Sequence, residues 1–137
     1  MLGRVVQTFN RFYRVKNEDG EWLCSLKGNF RKAPLAYRLP VVGDKVRIRL
    51  GEDRDGVDGF IYEIEPRTNA LSRHGGDFRK PKVMAANLDL ILVVTGMVKP
   101  GIDWGLIDRY AMACDQEEIP FELIFNKIMD MNPHLMR

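Results

Sequence analysis

Residues 120–130 read PFELIFNKIMD, and this stretch decides the fold that we predict for the second half of the chain. Residues 121–125 form a near-continuous apolar run, which is typical of a parallel strand buried between two layers. The run stops abruptly where two polar residues follow it. Because ligands of open α/β sheets bind just past the carboxyl ends of the strands, this edge is a candidate binding site.

The candidate residues of this site are Asn126, Lys127 and Asp130. Guanine-nucleotide proteins read their base with an Asn-Lys-x-Asp tetrad at such a strand end. The two oxygens of its carboxylate suit two adjacent donors on the base. Here Met129 occupies the fourth position of the tetrad, and the acidic residue comes one place later. The alternative interpretation is a strand end whose polar residues are simply solvated.

The segment before this stretch predicts a strand and a helix. Residues 90–94 are apolar without alternation, so we expect a strand that is covered on both faces. Asp103 is a candidate N-cap for a helix. The predicted inner side of this helix consists of Leu106, Ile107, Tyr110, Ala111 and Cys114. The result is one βαβ unit, with a right-handed crossover expected.

Two strands and one helix form an incomplete α/β piece, because a single helix cannot cover both faces of a sheet. Exposed apolar faces and free strand edges favour association with another chain. We therefore expect a dimer, or a bound partner that covers the incomplete sheet.

The first half of the chain predicts a small β barrel. Short alternating segments at residues 3–15, 21–27, 45–50 and 60–64 are separated by turn signals, and no convincing helix occurs among them. In KVRIRL, at residues 45–50, apolar and cationic side chains alternate, which is typical of a half-buried strand. A five-stranded antiparallel oligonucleotide-binding (OB) fold explains this pattern best, with an SH3-like barrel as the alternative.

Charge is unevenly distributed along the chain. Residues 1–82 carry 17 Lys and Arg against 11 Asp and Glu, whereas residues 83–137 carry 4 against 8. A basic first half predicts contact with a polyanion such as RNA, and a merely solvated basic surface is the alternative. The candidate RNA-binding cations are Arg11, Arg14, Lys27, Arg31, Lys32, Arg47, Arg49, Arg67, Arg73, Arg79, Lys80 and Lys82.

Aromatic side chains of the barrel are candidates for stacking on bases. Phe12, Tyr13 and Phe30 lie among the cations in the sequence. Burial in the barrel core is the alternative for each of them.

The predicted domains are a barrel over residues 1–73, a basic linker over 74–82 and an α/β piece over 83–137. Gly, Pro and cations in the linker fit either a flexible tether or a strap lying on phosphates. The apolar fraction of 45% and charged fraction of 29% are those of a globular protein. No apolar run is long enough for a membrane span or a signal peptide, so we expect a cytoplasmic protein.

Few residues in the chain suit metal ligation or disulfide formation. Cys24 and Cys114 lie far apart in the sequence, and we expect both to be reduced. His74 and His134 have no neighbours at ligand spacing, so we expect no metal site.

Seven motifs, in order, resemble those of the ribosome-small-subunit-dependent GTPases of the RsgA type, which are circularly permuted. They are GRVV at residues 3–6; Cys24 with Leu26, Lys27, Gly28, Phe30 and Arg31; VVGDKV at 41–46; Pro66 and Arg67 with Asn69, Leu71 and Arg73; AANLD at 85–89; LIDRY at 106–110; and FNKI at 125–128. The resemblance implies an OB barrel that contacts small-subunit ribosomal RNA, joined to the start of a P-loop-type GTPase domain. It also implies GTP, Mg²⁺ and structural zinc in the full-length family.

In the permuted family the base-reading tetrad precedes the phosphate loop. The phosphate loop, the switch regions and the zinc cysteines would then lie beyond Arg137, so we expect this chain to hold no cofactor, to bind GTP weakly if at all and to hydrolyse none. Two alternatives are a stand-alone OB-fold nucleic-acid-binding protein and a non-functional truncated remnant.

Overall fold

The computed structural model describes residues 1–28, 39–51, 56–73, 82–97 and 101–126. Within it, the chain forms two compact units, Met1–Asn87 and Leu88–Arg137. Seven of the predicted site residues lie outside the described residues: Phe30, Arg31, Lys32, Arg79, Lys80, Lys127 and Asp130.

The first unit contains the predicted barrel. Its strands close in the order β1-β2-β3-β5-β4, which confirms a five-stranded closed barrel. The pairs are antiparallel except for β3 and β5, which run parallel. The strands are β1 (Leu2–Phe9), β2 (Phe12–Asn17), β3 (Gly20–Leu26), β4 (Lys45–Leu50) and β5 (Gly59–Ile64).

Alternation along the strands builds the barrel core. In β4, Val46 and Ile48 are buried, whereas the cations that alternate with them, Lys45, Arg47 and Arg49, are exposed, because successive strand side chains point to opposite faces. The buried cluster consists of Val5, Tyr13, Val15, Cys24, Val46, Ile48 and Ile61. Burial raises the pKa of the Tyr13 hydroxyl.

The structure divides residues 3–15, which the sequence pattern predicts as one β-rich stretch. A turn at Asn10 and Arg11 separates β1 from β2, and Phe9 pairs with Phe12 across it. Asn10 adopts a φ of 45°, a conformation that Asn tolerates better than most residues. The chain therefore makes a hairpin where the sequence pattern alone indicates continuity.

A further antiparallel pair of strands, outside the barrel, belongs to the first unit. Strands β6 (Ala70–Arg73) and β7 (Lys82–Ala86) pair antiparallel, although the sequence pattern predicts no strand at either. The amide of Ala86 donates to the carbonyl of Val42 at 3.0 Å. The Asn87 side-chain amide donates to the Gly43 carbonyl at 2.9 Å. Residues 82–87 thus belong to the barrel's compact unit, although the predicted second domain begins at residue 83; the domain boundaries remain a prediction.

The second unit contains the predicted strand–helix–strand piece. Strands β8 (Ile91–Gly96) and β9 (Phe121–Asn126) pair in parallel, and helix α1 (Trp104–Gln116) lies between them in sequence. The Asp103 side chain accepts from the Leu106 amide at 3.0 Å, so the predicted N-cap is confirmed.

Two expectations about packing in this unit are wrong. The helical spacing predicts Leu106 on the inner side, but it is 43% exposed, while Ile107 and Cys114 are buried. Adjacent helical residues point about 100° apart, so Leu106 and Ile107 cannot share one narrow buried face. The apolar runs at residues 90–94 and 121–125 predict strands that are covered on both faces. Leu92 and Val94 are instead 50% and 60% exposed, and Ile124 and Phe125 are 40% and 38% exposed.

Candidate nucleic-acid interface

A pocket of about 410 Å³ opens on the outer surface of strands β3, β5 and β4. It is lined by residues 25–28, Arg49, Phe60 and Tyr62. Strand pairing brings these residues together, since Phe60 lies beside Ser25 on one side and beside Arg49 on the other. Its volume falls within the range of ligand pockets, about 300–1,000 Å³.

The alternation of β5 turns both aromatic rings of this pocket outward. Gly59 and Ile61 are buried in the barrel, so Phe60 and Tyr62 share the opposite face. Gly59 also allows β4 to approach closely, because a Cβ there would meet the Arg49 carbonyl oxygen at 2.5 Å. Neither ring is among the aromatic candidates predicted from the sequence. Their alternation with Gly59 and Ile61 was the available signal.

Two arginines on the outer face of β4 differ in their surroundings. Arg47 donates to Glu65 at 2.6 Å and lies 3.4 Å from a Glu63 oxygen. The hydrogen bond to Glu65 and the two nearby carboxylates raise the pKa of Arg47. Arg49 instead lies over the Tyr62 ring, at 5.8 Å from its centroid. No carboxylate of the described residues pairs with Arg49, so its charge is better placed for an anion than that of Arg47.

The other described cations of the barrel strands lie at several places on its surface. Arg11 is exposed in the β1–β2 turn, and Lys27 is exposed just after β3. Arg14 is half-buried and lies 5.5 Å from the centroid of the Phe9 ring. Phe9 is 37% exposed and is also absent from the predicted set. The Arg14–Phe9 pair therefore gives the barrel a second cation–aromatic contact at its surface.

Arg67, in contrast to the exposed cations, forms an ion pair with a buried acid. Its guanidinium donates to the two carboxylate oxygens of Asp44, at 2.7 and 2.8 Å, and the Asp44 side chain is fully buried. The hydrogen bond to Asp44 raises the pKa of Arg67. Both oxygens of the buried acid accept from Arg67, so two of its donors are engaged within the first unit.

Arg73 and Lys82 lie directly opposite each other on the β6–β7 hairpin, and both are exposed. Like charges at opposite positions of an antiparallel pair repel. An anion between them would relieve that repulsion, so this pair fits the predicted contact with a phosphate backbone.

The predicted aromatic set is only partly at the surface. Tyr13 is 3% exposed and belongs to the barrel core, which agrees with the burial alternative. Phe12 is half-buried.

Of the candidate guanine-reading residues, Asn126 can be placed. It is the last residue of β9, beside Gly96 of the parallel neighbour, and its carbonyl accepts from the Met97 amide at 3.1 Å. This is the carboxyl edge of the strand pair, where the sequence pattern predicts it.

Cys24 and Cys114 are both free and buried. Burial, with a smaller contribution from the charge of Asp58, raises the pKa of Cys24 to about 11. Burial also raises the pKa of Cys114. Within the described ranges, no group of three or more His, Cys, Asp and Glu side chains is arranged to hold a metal ion. No helix in the described part of the chain is long and apolar enough to cross a membrane.

Two family models match the chain. Residues 2–57 match the RsgA N-terminal domain, and residues 64–135 match the RsgA GTPase. The Small ribosomal subunit biogenesis GTPase RsgA 2 of Bacteroides thetaiotaomicron is 34% identical over 140 residues. The match covers 100% of this chain and 44% of that relative. The RsgA of Actinobacillus pleuropneumoniae is 36% identical over 128 residues, which cover 92% of this chain and 35% of the relative.

Two solved structures share the fold. YloQ, described as a circularly permuted GTPase, superposes with a TM-score of 0.60 and 26% identity, over 97% of this chain and 42% of that one. YjeQ from Thermotoga maritima superposes with a TM-score of 0.66 and 24% identity, over 99% of this chain and 44% of that one. The likeness to YjeQ concerns the fold alone. The chain thus spans less than half the length of these similar proteins.

Proposed function

The chain belongs to the RsgA family of small ribosomal subunit biogenesis GTPases, and we propose that its barrel binds the ribosomal RNA of the small subunit. The observation that carries the proposal is the match to both family models, in order, along nearly the whole chain. By this proposal the protein works in the cytoplasm, where ribosomal subunits are assembled.

The exposed cations support RNA as the ligand. Arg11, Lys27, Arg49, Arg73 and Lys82 are all exposed on the unit that contains the barrel. Lys and Arg side chains that neutralise phosphates release condensed counterions, so such binding weakens steeply with salt. The charge excess of residues 1–82 supplies the same attraction at longer range.

Cosedimentation with purified ribosomal subunits tests this proposal. The chain should pellet with small subunits in preference to large ones, and it should be released as salt rises. The double variant Arg73→Gln/Lys82→Gln should bind more weakly and with a shallower salt dependence, because each cation that no longer neutralises a phosphate lowers the slope by about one. Arg109→Gln, which removes an exposed cation from helix α1, is the matched control and should bind like the unaltered chain.

Competition with bulk single-stranded RNA separates this function from that of a stand-alone nucleic-acid-binding barrel. With the chain bound to labelled bulk RNA, two competitors are compared: small subunits and unlabelled bulk RNA. Small subunits should displace the chain at a far lower nucleotide concentration. Equal competition by both would favour the stand-alone barrel. A chain that pellets with neither subunit would contradict the proposal outright.

We further propose that the edge at Asn126 contacts a guanine nucleotide, with Lys127 and Asp130 as its other candidate residues. Support comes from the family and from the place of Asn126 at the carboxyl end of a parallel strand. The displaced acidic residue predicts weak binding with poor discrimination. Titration with labelled GTP and ATP checks this; Asn126→Ala should abolish any preference for GTP, and unchanged preference in that variant would count against the assignment.

A further inference from the structure

We propose that the pocket on the outer face of β3, β5 and β4 takes an unstacked nucleobase of single-stranded RNA. The inference rests on the proposed function, because it names the form of RNA that this surface recognises. The family match does not assign this pocket, and neither of its two rings belongs to the motifs from which the family was inferred.

The positions of Phe60 and Tyr62 along β5 suit a planar ligand. Phe60 and Tyr62 are two residues apart on one face of β5, so their Cα atoms are about 6.8 Å apart. Carbon atoms in contact lie about 3.5–4.0 Å apart, so a flat ring held between two others needs an interval of about 7–8 Å, close to this Cα spacing. Bases of single-stranded RNA are splayed out and stacked on aromatic side chains in this way.

The charge beside the rings suits the phosphate of the same nucleotide. Arg49 is held over Tyr62 and has no carboxylate partner among the described residues, in contrast to Arg47 two positions away. Lys27 adds a second exposed cation at the rim. A purely apolar ligand would make no ionic contact with these cations. A small carboxylate would make no stacking contact with the two aromatic rings.

Gly28 lies at the rim of the pocket. Among the described residues, no atom lies within 4 Å of a Cβ built there. The Lys27 amide is already used by the Ile61 carbonyl at 3.0 Å, so recognition by main-chain donors is not available at Lys27. Stacking without main-chain readout is tolerant of sequence, and we therefore expect binding to depend on the presence of bases rather than on their order.

The test uses the full chain and a labelled, unstructured uridine decamer, followed by fluorescence anisotropy. Tyr62→Leu removes the ring and keeps apolar bulk; it should weaken binding roughly 5- to 150-fold, the usual range for one stacked base. Tyr62→Phe keeps the ring and should bind within about twofold of the unaltered chain. Trp104→Leu, at a 57% exposed aromatic residue of helix α1, is the matched control and should bind unchanged.

Two further measurements distinguish stacking from charge. Tyr62→Leu should leave the salt dependence of binding unaltered, whereas Arg49→Gln should lower its slope by about one. A decamer of abasic ribose phosphates should bind the unaltered chain at least as weakly as the uridine decamer binds Tyr62→Leu, because that variant keeps the Phe60 ring. This second probe needs no variant, so it decides the matter even if Tyr62→Leu fails to fold.

Failure of this inference can be told from failure of the proposed function. Equal affinities for the uridine and abasic decamers would overturn the base pocket, even if the chain pellets normally with small subunits. If Tyr62→Leu no longer binds small subunits but still binds the decamer normally, the pocket receives a protein side chain and the inference is again overturned. If the chain binds the decamer through Tyr62 but pellets with no subunit, the pocket stands and the proposed function fails.

Discussion

Arg67 holds the buried carboxylate of Asp44 by two parallel hydrogen bonds, Nε to Oδ1 at 2.7 Å and Nη2 to Oδ2 at 2.8 Å. The Val41 amide donates to the same acid at 2.8 Å, so the turn before β4 is fixed to the segment that follows β5. A buried charge is tolerated only when it is paired and hydrogen-bonded. This interaction therefore connects two loops of the first unit that are 23 residues apart in sequence.

Arg67→Met should destabilise the first unit by roughly 3 kcal/mol, because it leaves the Asp44 carboxylate buried without its cation. Because the Arg67 side chain is 23% exposed, we expect a loss of stability at the lower end of the range of about 3–5 kcal/mol that is typical of a broken buried ion pair. Urea unfolding followed by tryptophan fluorescence measures it, in a Trp104→Phe background in which Trp22 is the only tryptophan. Arg47→Met removes an exposed arginine with two acidic neighbours and should change stability little; an equal loss in both variants would contradict the special role of the buried pair.

Gly43→Ala should cost about 2 kcal/mol or more, since a φ of 97° at Gly43 strains any residue with a Cβ. The added methyl would also collide with the Ala86 carbonyl oxygen. Thermal unfolding of the variant should show a lower midpoint. Gly28→Ala is the control, since it meets open space and should stay within about 0.5 kcal/mol of the unaltered chain. Equal midpoints for the two variants would refute this explanation.

Asp103→Ala should loosen helix α1 by about 1 kcal/mol, the usual cost of losing an N-cap. The Asp103 oxygen satisfies the Leu106 amide, and its charge also lies at the favourable end of the helix dipole. Hydrogen exchange of the α1 amides measures the loss in this unit alone. Asp108→Ala, an equal change of charge at an exposed position of the same helix, should exchange almost as before. A faster exchange in Asp108→Ala than in Asp103→Ala would rule out capping as the cause.

The sequence carried enough information for the elements whose pattern is local. Alternation in β4 and the near-continuous apolar run of β9 both indicate strands, and both strands form. Asp103 could be recognised as a cap because its partner, the Leu106 amide, lies three residues away. These features depend only on neighbours in the chain.

Features set by distant contacts could not be read in this way. Strands β6 and β7 are short. Strand β7 is joined to the first unit by a bridge between Ala85 and Val42, which lie more than forty residues apart in sequence. Nothing in the sequence distinguishes Arg67 from the other cations, because its partner Asp44 is distant in sequence. The pocket residues Phe60 and Tyr62 alternate visibly, but only the pairing with β3 and β4 brings Ser25 and Arg49 to them.

The outer face of the β8–β9 pair should cause self-association of the chain. Leu92, Val94 and Ile124 share this face because Val94 pairs with Ile124, and each is at least 40% exposed. Val94→Lys should shift the chain towards monomer in sedimentation velocity. Val6→Lys, at a 39% exposed valine of the barrel, is the matched control and should leave the distribution unchanged. A chain that is monomeric at all concentrations before any substitution would contradict the expected association.

Alkaline conditions should destabilise the barrel. The pKa of Cys24 is raised from 9.0 to about 11 in the folded chain, so the unfolded state loses this proton at lower pH than the folded state does. The contribution of the neutral thiol is fully present below pH 9 and is lost as the pH rises towards 11. Titration of Tyr13 changes the stability in the same direction, since burial raises its pKa above 10.0.

Urea unfolding at several values between pH 7 and pH 11 should show a constant free energy of unfolding up to about pH 9 and a decline above it. Cys24→Ala should decline less steeply over the same interval. A free energy of unfolding that rises above pH 9, or an identical decline in Cys24→Ala, would show that the buried thiol is not its source.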